Sequence, residues 1–428
     1  MLRQHLASTF LASLALLCLL PSSSAQSTCN ATSKCPSSAP CCSEYGYCGT
    51  GKYCLGGYSY ALTSCKPDPI CKSQSSTFYN LNKIWLNGST YNGNASAYDW
   101  VVAVFLAVLV IIIGLAFNSG EVIATDYGTK LVLNQTNGGT KISSTRYVHY
   151  GTIDFVLETS KWAGVVTAAI TMSDVKDEID WEFPGANTTS GQTNFWFLGI
   201  ANCAWRHSSD SLGLGYTHTY THPSPSQHLS PARSAASKRD RRLAWREWLA
   251  DPSPDSATQG QTVTVSSDTS SNFHTYTLDW QPETLTWKID GSVVRTVNKN
   301  ETLSGTQYKY PSTPSLIQIS IWPAGINSSA QGTIDWAGGL IDWTDPDYTA
   351  NGYFWNTIQS VNVTCASEAN VSAGWVYTGV DADQVPVVAV TNASTLLSGA
   401  NPSALVGSSW TIALGGLMTA VLATALLL

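Results

Sequence analysis

Between Asp177 and Gly185 acidic and apolar residues alternate, with Glu178, Asp180 and Glu182 at one parity and Ile179, Trp181 and Phe183 at the other. A period of two is that of an extended strand, so the pattern predicts a β-strand with three carboxylates on one face and an apolar surface on the other. Like charges on one strand face oppose pairing. Such a strand is either a solvated acidic edge or a place where carboxylates do chemistry. Three apolar runs break the alternation elsewhere. Phe10 to Leu20, with Arg3 before it and Ser23-Ser24-Ala25 after it, reads as a secretory signal peptide over residues 1–25. Trp410 to Leu428, preceded by small and polar residues, reads as a glycosylphosphatidylinositol addition signal over 401–428. Attachment is expected among Ser398, Gly399, Ala400 and Asn401, with a tail anchor as the alternative. Either makes the plasma membrane a partner.

The middle run, Val101 to Phe117, has the length of a short membrane span. A stop-transfer there would strand the acidic strand in the cytosol. Its flanks, Tyr98-Asp99-Trp100 and Ser119-Gly120-Glu121-Val122, read as two halves of one β segment, and a buried helix is the other possibility. A second anomaly runs from about 203 to 256 and holds Lys238-Arg239-Asp240-Arg241-Arg242 with His207, His218, His222 and His228. No carboxylate or cysteine is spaced to complete a metal site with these histidines, so no metal or cofactor is expected. Phe197 to Asn202 joins naturally to Ala257 to Gly260 across this gap. Both stretches, about 101–118 and 203–256, read as translated introns or recent insertions. If retained, the first inserts at a sheet edge and the second forms a surface loop.

Composition sharpens the class. Charged residues make up only 12% of the chain and the net charge is -7, which argues against nucleic acid as a partner, while 16 Trp and 19 Tyr suit an all-β protein that faces carbohydrate. Export explains the cysteines. Cys29, Cys35, Cys41, Cys42, Cys48, Cys54, Cys65 and Cys71 form a dense even set, expected to be a disulfide framework for a domain too small to hold itself by a core. Cys365 has no obvious partner, although Cys203 is available. Export also gives meaning to glycosylation sequons at Asn87, Asn94, Asn134, Asn187, Asn300, Asn327, Asn362 and Asn370.

The carboxylate row fits glycosidic bond chemistry. A retaining glycosidase needs two carboxyl groups, one as nucleophile and one as acid then base, roughly 5 to 5.5 Å apart. The Cα atoms of Glu178 and Glu182 should lie about 13 Å apart on a strand, a gap that two long side chains narrow. Asp180 between them can hydrogen-bond one and separate their ionisations. Trp181, Phe183, Trp196 and Phe197 offer flat faces for pyranose rings.

Glu-Ile-Asp-Trp-Glu in this aromatic company resembles the active-site strand of glycoside hydrolase family 16, a β-jelly-roll sandwich. The resemblance implies Glu178 as nucleophile, Asp180 as its assistant and Glu182 as acid/base. Phe273 to Trp280 followed by Leu285 to Gly291 looks like that family's strand and "W-x-x-D-G" hairpin. Ile321 to Gly325 with Gly332 to Gly339 looks like the binding segment of its fungal branch, the chitin to β-glucan crosslinking transglycosylases. Chitin and β-glucan are then the expected partners, with a plain chitin or glucan hydrolase, or a non-catalytic chitin-binding wall protein, as alternatives. Substrate-binding candidates are Trp322, Trp336, Trp280 and Trp196, with Trp287 and Trp343 weaker. Cys41 to Gly49 followed by Tyr53-Cys54 resembles a hevein-type chitin-binding module, which implies Ser43, Tyr45, Tyr47 and Tyr53 as its sugar contacts. The expected order is signal 1–25, module 26–72, catalytic sandwich 73–365, Ser/Thr/Asn-containing linker 366–400 and anchor propeptide 401–428.

Overall fold

The computed structural model describes residues 28–29, 34–42, 47–55, 65–105, 118–199, 259–366, 373–383 and 385–397. The signal, the anchor propeptide, Ser43, Tyr45, Asn370, most of the first anomalous stretch and all of the second lie outside these residues. Among the described residues no helix is long and apolar enough to cross a membrane.

Two eight-stranded sheets, antiparallel but for one short pair, pack face to face as a jelly-roll sandwich. The first runs Gln261–Thr264, Ser190–Trp196, Glu178–Pro184, Val165–Ser173, Ser315–Pro323, Thr140–Val148, Trp100–Val102 and Ile84–Trp85. The second runs Ser292–Asn298, Thr284–Ile289, His274–Trp280, Gly151–Glu158, Phe354–Cys365, Gly128–Leu133 and Glu121–Thr125, with Gln74–Thr77 also pairing onto Phe354–Cys365. Alternation sets the inner face throughout. In Gly151–Glu158, Ile153, Phe155 and Leu157 point inward and are fully buried, while the residues between them are half-buried. The Asp290-Gly291 pair supplies two successive positive φ angles for the tight turn joining Thr284–Ile289 to Ser292–Asn298, as an Asp-Gly hairpin requires.

The chain on either side of the first anomalous stretch comes together. Val104–Phe105 pairs with Asn118–Ser119, so the run between them leaves and returns at one place. Trp100–Val102 and Glu121–Thr125 belong to different sheets and are not halves of one strand.

Two features correct the expected organisation. Residues 373–391 are not wholly linker: Gly374–Val380 and Pro386–Thr391 form a hairpin whose edge pairs with Asp68–Pro69. The eight clustered cysteines do not form one closed framework either. Cys29–Cys42, Cys35–Cys48 and Cys41–Cys54 staple the small module, whereas Cys71 pairs with Cys365 across 294 residues. That last bond fixes the segment entering the sandwich to the end of its longest strand. Of the sequon asparagines, Asn87, Asn187, Asn300 and Asn327 are exposed, and Asn94, Asn134 and Asn362 are half-buried.

Candidate active site

The acidic strand forms as its alternation dictates. Ile179, Trp181 and Phe183 are buried in the sandwich core, and Glu178, Asp180 and Glu182 share the opposite face. Two indoles lock this strand to the second sheet. Trp181 Nε1 donates to the Thr277 carbonyl at 3.2 Å, and Trp287 Nε1 donates to the Asp180 carbonyl at 2.9 Å. Arg295 lies over the Trp287 ring at 4.6 Å and donates to the Thr193 carbonyl at 2.8 Å, closing that side.

Strand register sets each carboxylate's neighbours. Glu178 stands between Met172 and Trp196, Asp180 between Ile170 and Asn194, and Glu182 between Ala168 and Gln192. Continuing across the sheet, the row through Asp180 reaches Gln318 and the row through Glu182 reaches Ser320 and Lys141. Lys141 is 2% exposed and donates to Gln318 Oε1 at 3.3 Å. Of the three carboxylates, Asp180 is buried and Glu178 and Glu182 are half-buried.

Withdrawal from water raises their pKa values, because a charge loses hydration that the protein replaces only in part. Glu182 is pushed up to about 8 by burial and by the charge of Glu178. Glu178 is raised to about 7 by burial, against the pull of a hydrogen bond with Asp180 and the charges of Lys176 and Lys141. Asp180 is raised well above the usual carboxylate range by burial and by both glutamates. Its Oδ2 accepts from Trp196 Nε1 at 3.2 Å, while Oδ1 is buried and meets no N–H or O–H donor. All three groups thus keep their protons to a higher pH than ordinary carboxylates do.

Asp177, which the alternation did not single out, is fully buried and raised to about 6 by burial. Leu198 N donates to its Oδ1 at 3.0 Å, and Ser312 N, Thr313 N and Thr313 Oγ1 donate to its Oδ2 at 2.9, 3.1 and 2.7 Å. It ties together the turns that flank the carboxylate row. The available signal was an acidic residue one position out of phase with a strand that begins at Glu178.

The aromatics separate into half-buried and core residues. Trp322 and Trp336 are half-buried and stack with ring centroids 6.0 Å apart and an interplanar angle of 23°. Trp336 Nε1 donates to Gln192 Oε1 at 2.8 Å, which places the pair beside the neighbour of Glu182. Trp196 is half-buried against Asp180. Trp280, by contrast, is 1% exposed in the core and donates to the Pro311 carbonyl, so it cannot meet a sugar. Trp181, Phe183, Phe197 and Trp287 are equally buried, and Trp343 packs against the core. The glycines near Trp322 serve backbone packing instead of ligand approach: a Cβ on Gly325 would lie 2.1 Å from the Gly339 carbonyl and 2.6 Å from Gly164 Cα. Gly164 accepts from Ala324 N and Gly325 N, and these contacts clamp Trp322 to the helix Gln331–Trp336.

Net proton retention gives a prediction for stability. Asp177, Glu178 and Glu182 hold protons in the folded chain, to about 6, 7 and 8, where the unfolded chain has released them. Their contribution is fully present below the ordinary carboxylate range and is lost as pH rises through the folded values. Melting temperature, followed by calorimetry, should fall from about pH 5 to about pH 8, and a rise across that window would contradict the assignment.

A sandwich with a row of three carboxylates on one strand face and a stacked indole pair nearby fits a carbohydrate-active enzyme of the two-carboxyl type. The sequence profile of glycosyl hydrolases family 16 matches residues 115–223 and 253–338. Congo red hypersensitive protein 2 of Saccharomyces cerevisiae is 34% identical over 394 residues, spanning 89% of this chain and 69% of that protein. Crh-like protein 2 of Aspergillus fumigatus is 35% identical, spanning 81% of this chain and 65% of that protein. The chain thus aligns with about two thirds of the length of these relatives. A solved structure, the Crh5 transglycosylase in complex with NAG, aligns with 73% of this chain and 91% of its own at 23% identity and a TM-score of 0.47. The chain belongs to glycosyl hydrolases family 16.

Proposed function

We propose that the protein is a retaining transglycosylase that cleaves chitin and transfers it to β-glucan in the fungal cell wall. The observation that carries the reading is the row of three carboxylates on one face of Glu178–Pro184, with buried Asp180 standing between Glu178 and Glu182. Glu182 gives its proton to the departing glycosidic oxygen as a Glu178 oxygen bonds to the anomeric carbon and the old C–O bond breaks. An ester between sugar and Glu178 results. Glu182, now a carboxylate, takes the proton of an acceptor hydroxyl, whose oxygen displaces Glu178 and regenerates the starting state. The stacked Trp322–Trp336 pair supports a sugar-binding wall next to Glu182. A glucan hydroxyl as acceptor, in place of water, is supported by the likeness of residues 321–325 and 332–339 to the crosslinking branch of the family.

The disulfide module is read as a chitin binder. Tyr47 and Tyr53 are half-buried, and the Tyr53 ring lies against Gly49, where any side chain would displace it. Ser43 and Tyr45 complete its proposed face. Export by residues 1–25, a lipid anchor at Ser398, Gly399 or Asn401 and glycans on the exposed sequons would hold the enzyme at the cell surface. The reading is tested by incubating the secreted protein with a chito-oligosaccharide and a labelled β-glucan oligosaccharide and weighing the products. Labelled mixed oligosaccharides are expected; shortened chitin fragments alone would make it a hydrolase.

A further inference from the structure

The N-terminal disulfide module sits against the sandwich. Cys29, Cys42 and Cys48 share a buried apolar cluster with Val175 and Tyr377, and Cys35, Ala39, Leu198 and Val388 pack around it. Val175 precedes the acidic strand by three positions, and Leu198 follows Trp196 by two. Both belong to the turns that Asp177 ties, and the Leu198 amide is itself one of the Asp177 donors. Tyr377 and Val388 come from the hairpin Gly374–Val380 and Pro386–Thr391, which is held on its far side by Asp68–Pro69. One apolar contact therefore joins the module, the hairpin and the turns on either side of Glu178. Six of the module's cysteines close their bonds within it, so the contact itself is non-covalent.

We infer that the module is a positioning element of the active site, docked so as to cover Val175 and Leu198 and to fix the turns from which Glu178 and Trp196 project. It does this whether or not its own face holds sugar. A short chain connection supplies an effective concentration of about 1 mM, so burial of a few apolar side chains suffices to keep it docked. The undocked state would leave Val175 and Leu198 in water and the Asp177 cradle open on one side.

The test begins with nuclear relaxation of backbone amides in the full chain. Module amides should share the rotational correlation time of the sandwich; an independent, shorter time overturns the inference. Val388→Asp on the hairpin and Ala39→Asp on the module each drive a carboxylate into the cluster and should release the module. On release, the Leu198 amide should lose its exchange protection. The kcat for a chito-oligosaccharide too short to reach the module should fall about tenfold with KM unchanged. Release with unaltered kcat, or variants whose module still tumbles with the sandwich, would overturn the inference. The kinetic arm rests on the proposed chitin donor, whereas relaxation and exchange do not, so a chain inactive on chitin leaves those two to decide.

Discussion

Glu178→Gln should lower turnover by a factor on the order of 10⁴ or more while leaving donor binding nearly intact. The substitution keeps the side chain's volume and its place between Met172 and Trp196. What it removes is the oxygen that forms the ester. Asp180 would then face an amide in place of a carboxylate, and one of the two charges that raise the Asp180 pKa would vanish. The Asp180 value should fall toward the ordinary range, visible by carbon NMR of the labelled carboxyl. Smaller Glu178→Ala leaves room for azide. Added azide should then attack from the vacated side and yield a glycosyl azide of inverted configuration. Turnover of Glu178→Gln within tenfold of the wild type would remove Glu178 from the mechanism.

Glu182→Ala should act differently, and the difference identifies its role. Loss of a general acid costs about 10² to 10⁴ in rate when the leaving oxygen needs a proton. A donor with an aryl leaving group that departs as an anion needs none, so its first step should survive. The ester would then accumulate, because the acceptor hydroxyl has no base. Azide, which needs no base either, should release it as a product of retained configuration. The pH profile gives an independent check. Glu182 is raised by burial and by the charge of Glu178, so it sets the alkaline limb of kcat/KM, and Glu178 sets the acid limb. Replacement of Glu182 should abolish the alkaline limb alone.

The carboxylate row was fully legible in the chain because a period of two encodes which residues share a face, and nothing distant alters that. Trp322 and Trp336 were legible for a related reason: each stands in a short segment dense in glycine and aromatic residues. The fate of Trp280 was not. Both faces of its strand are close to buried, and only the position of the Pro311 carbonyl shows that its indole points into the core. The Cys71–Cys365 bond escaped because local density of cysteines says nothing about a partner 294 residues away. The hairpin within 373–391 had a signal that went unused. Val387-Val388-Ala389-Val390 is a valine-rich run of the kind that favours strands, but low charge and abundant Ser and Thr around it read as linker. Asp177 was hidden by its position in a turn, where function depends on which amides converge, and those come from turns 21 and more than 130 residues away.

The docked module changes how the order of domains is understood. The described parts of the module and of the hairpin Gly374–Val380 and Pro386–Thr391 both return to the turns beside Glu178. On the inference drawn above, the module and the carboxylate row move as one body in place of two linked by a tether.

The most direct test of the mechanism is to locate the covalent sugar. The enzyme is mixed with a chito-oligosaccharide without acceptor, quenched in acid within the first turnovers, digested and sequenced by mass spectrometry. A chito-oligosaccharide mass is expected on Glu178, lost on prior addition of β-glucan oligosaccharide and absent in Glu178→Gln. A sugar found on Glu182, or turnover with no ester on either residue, would contradict it.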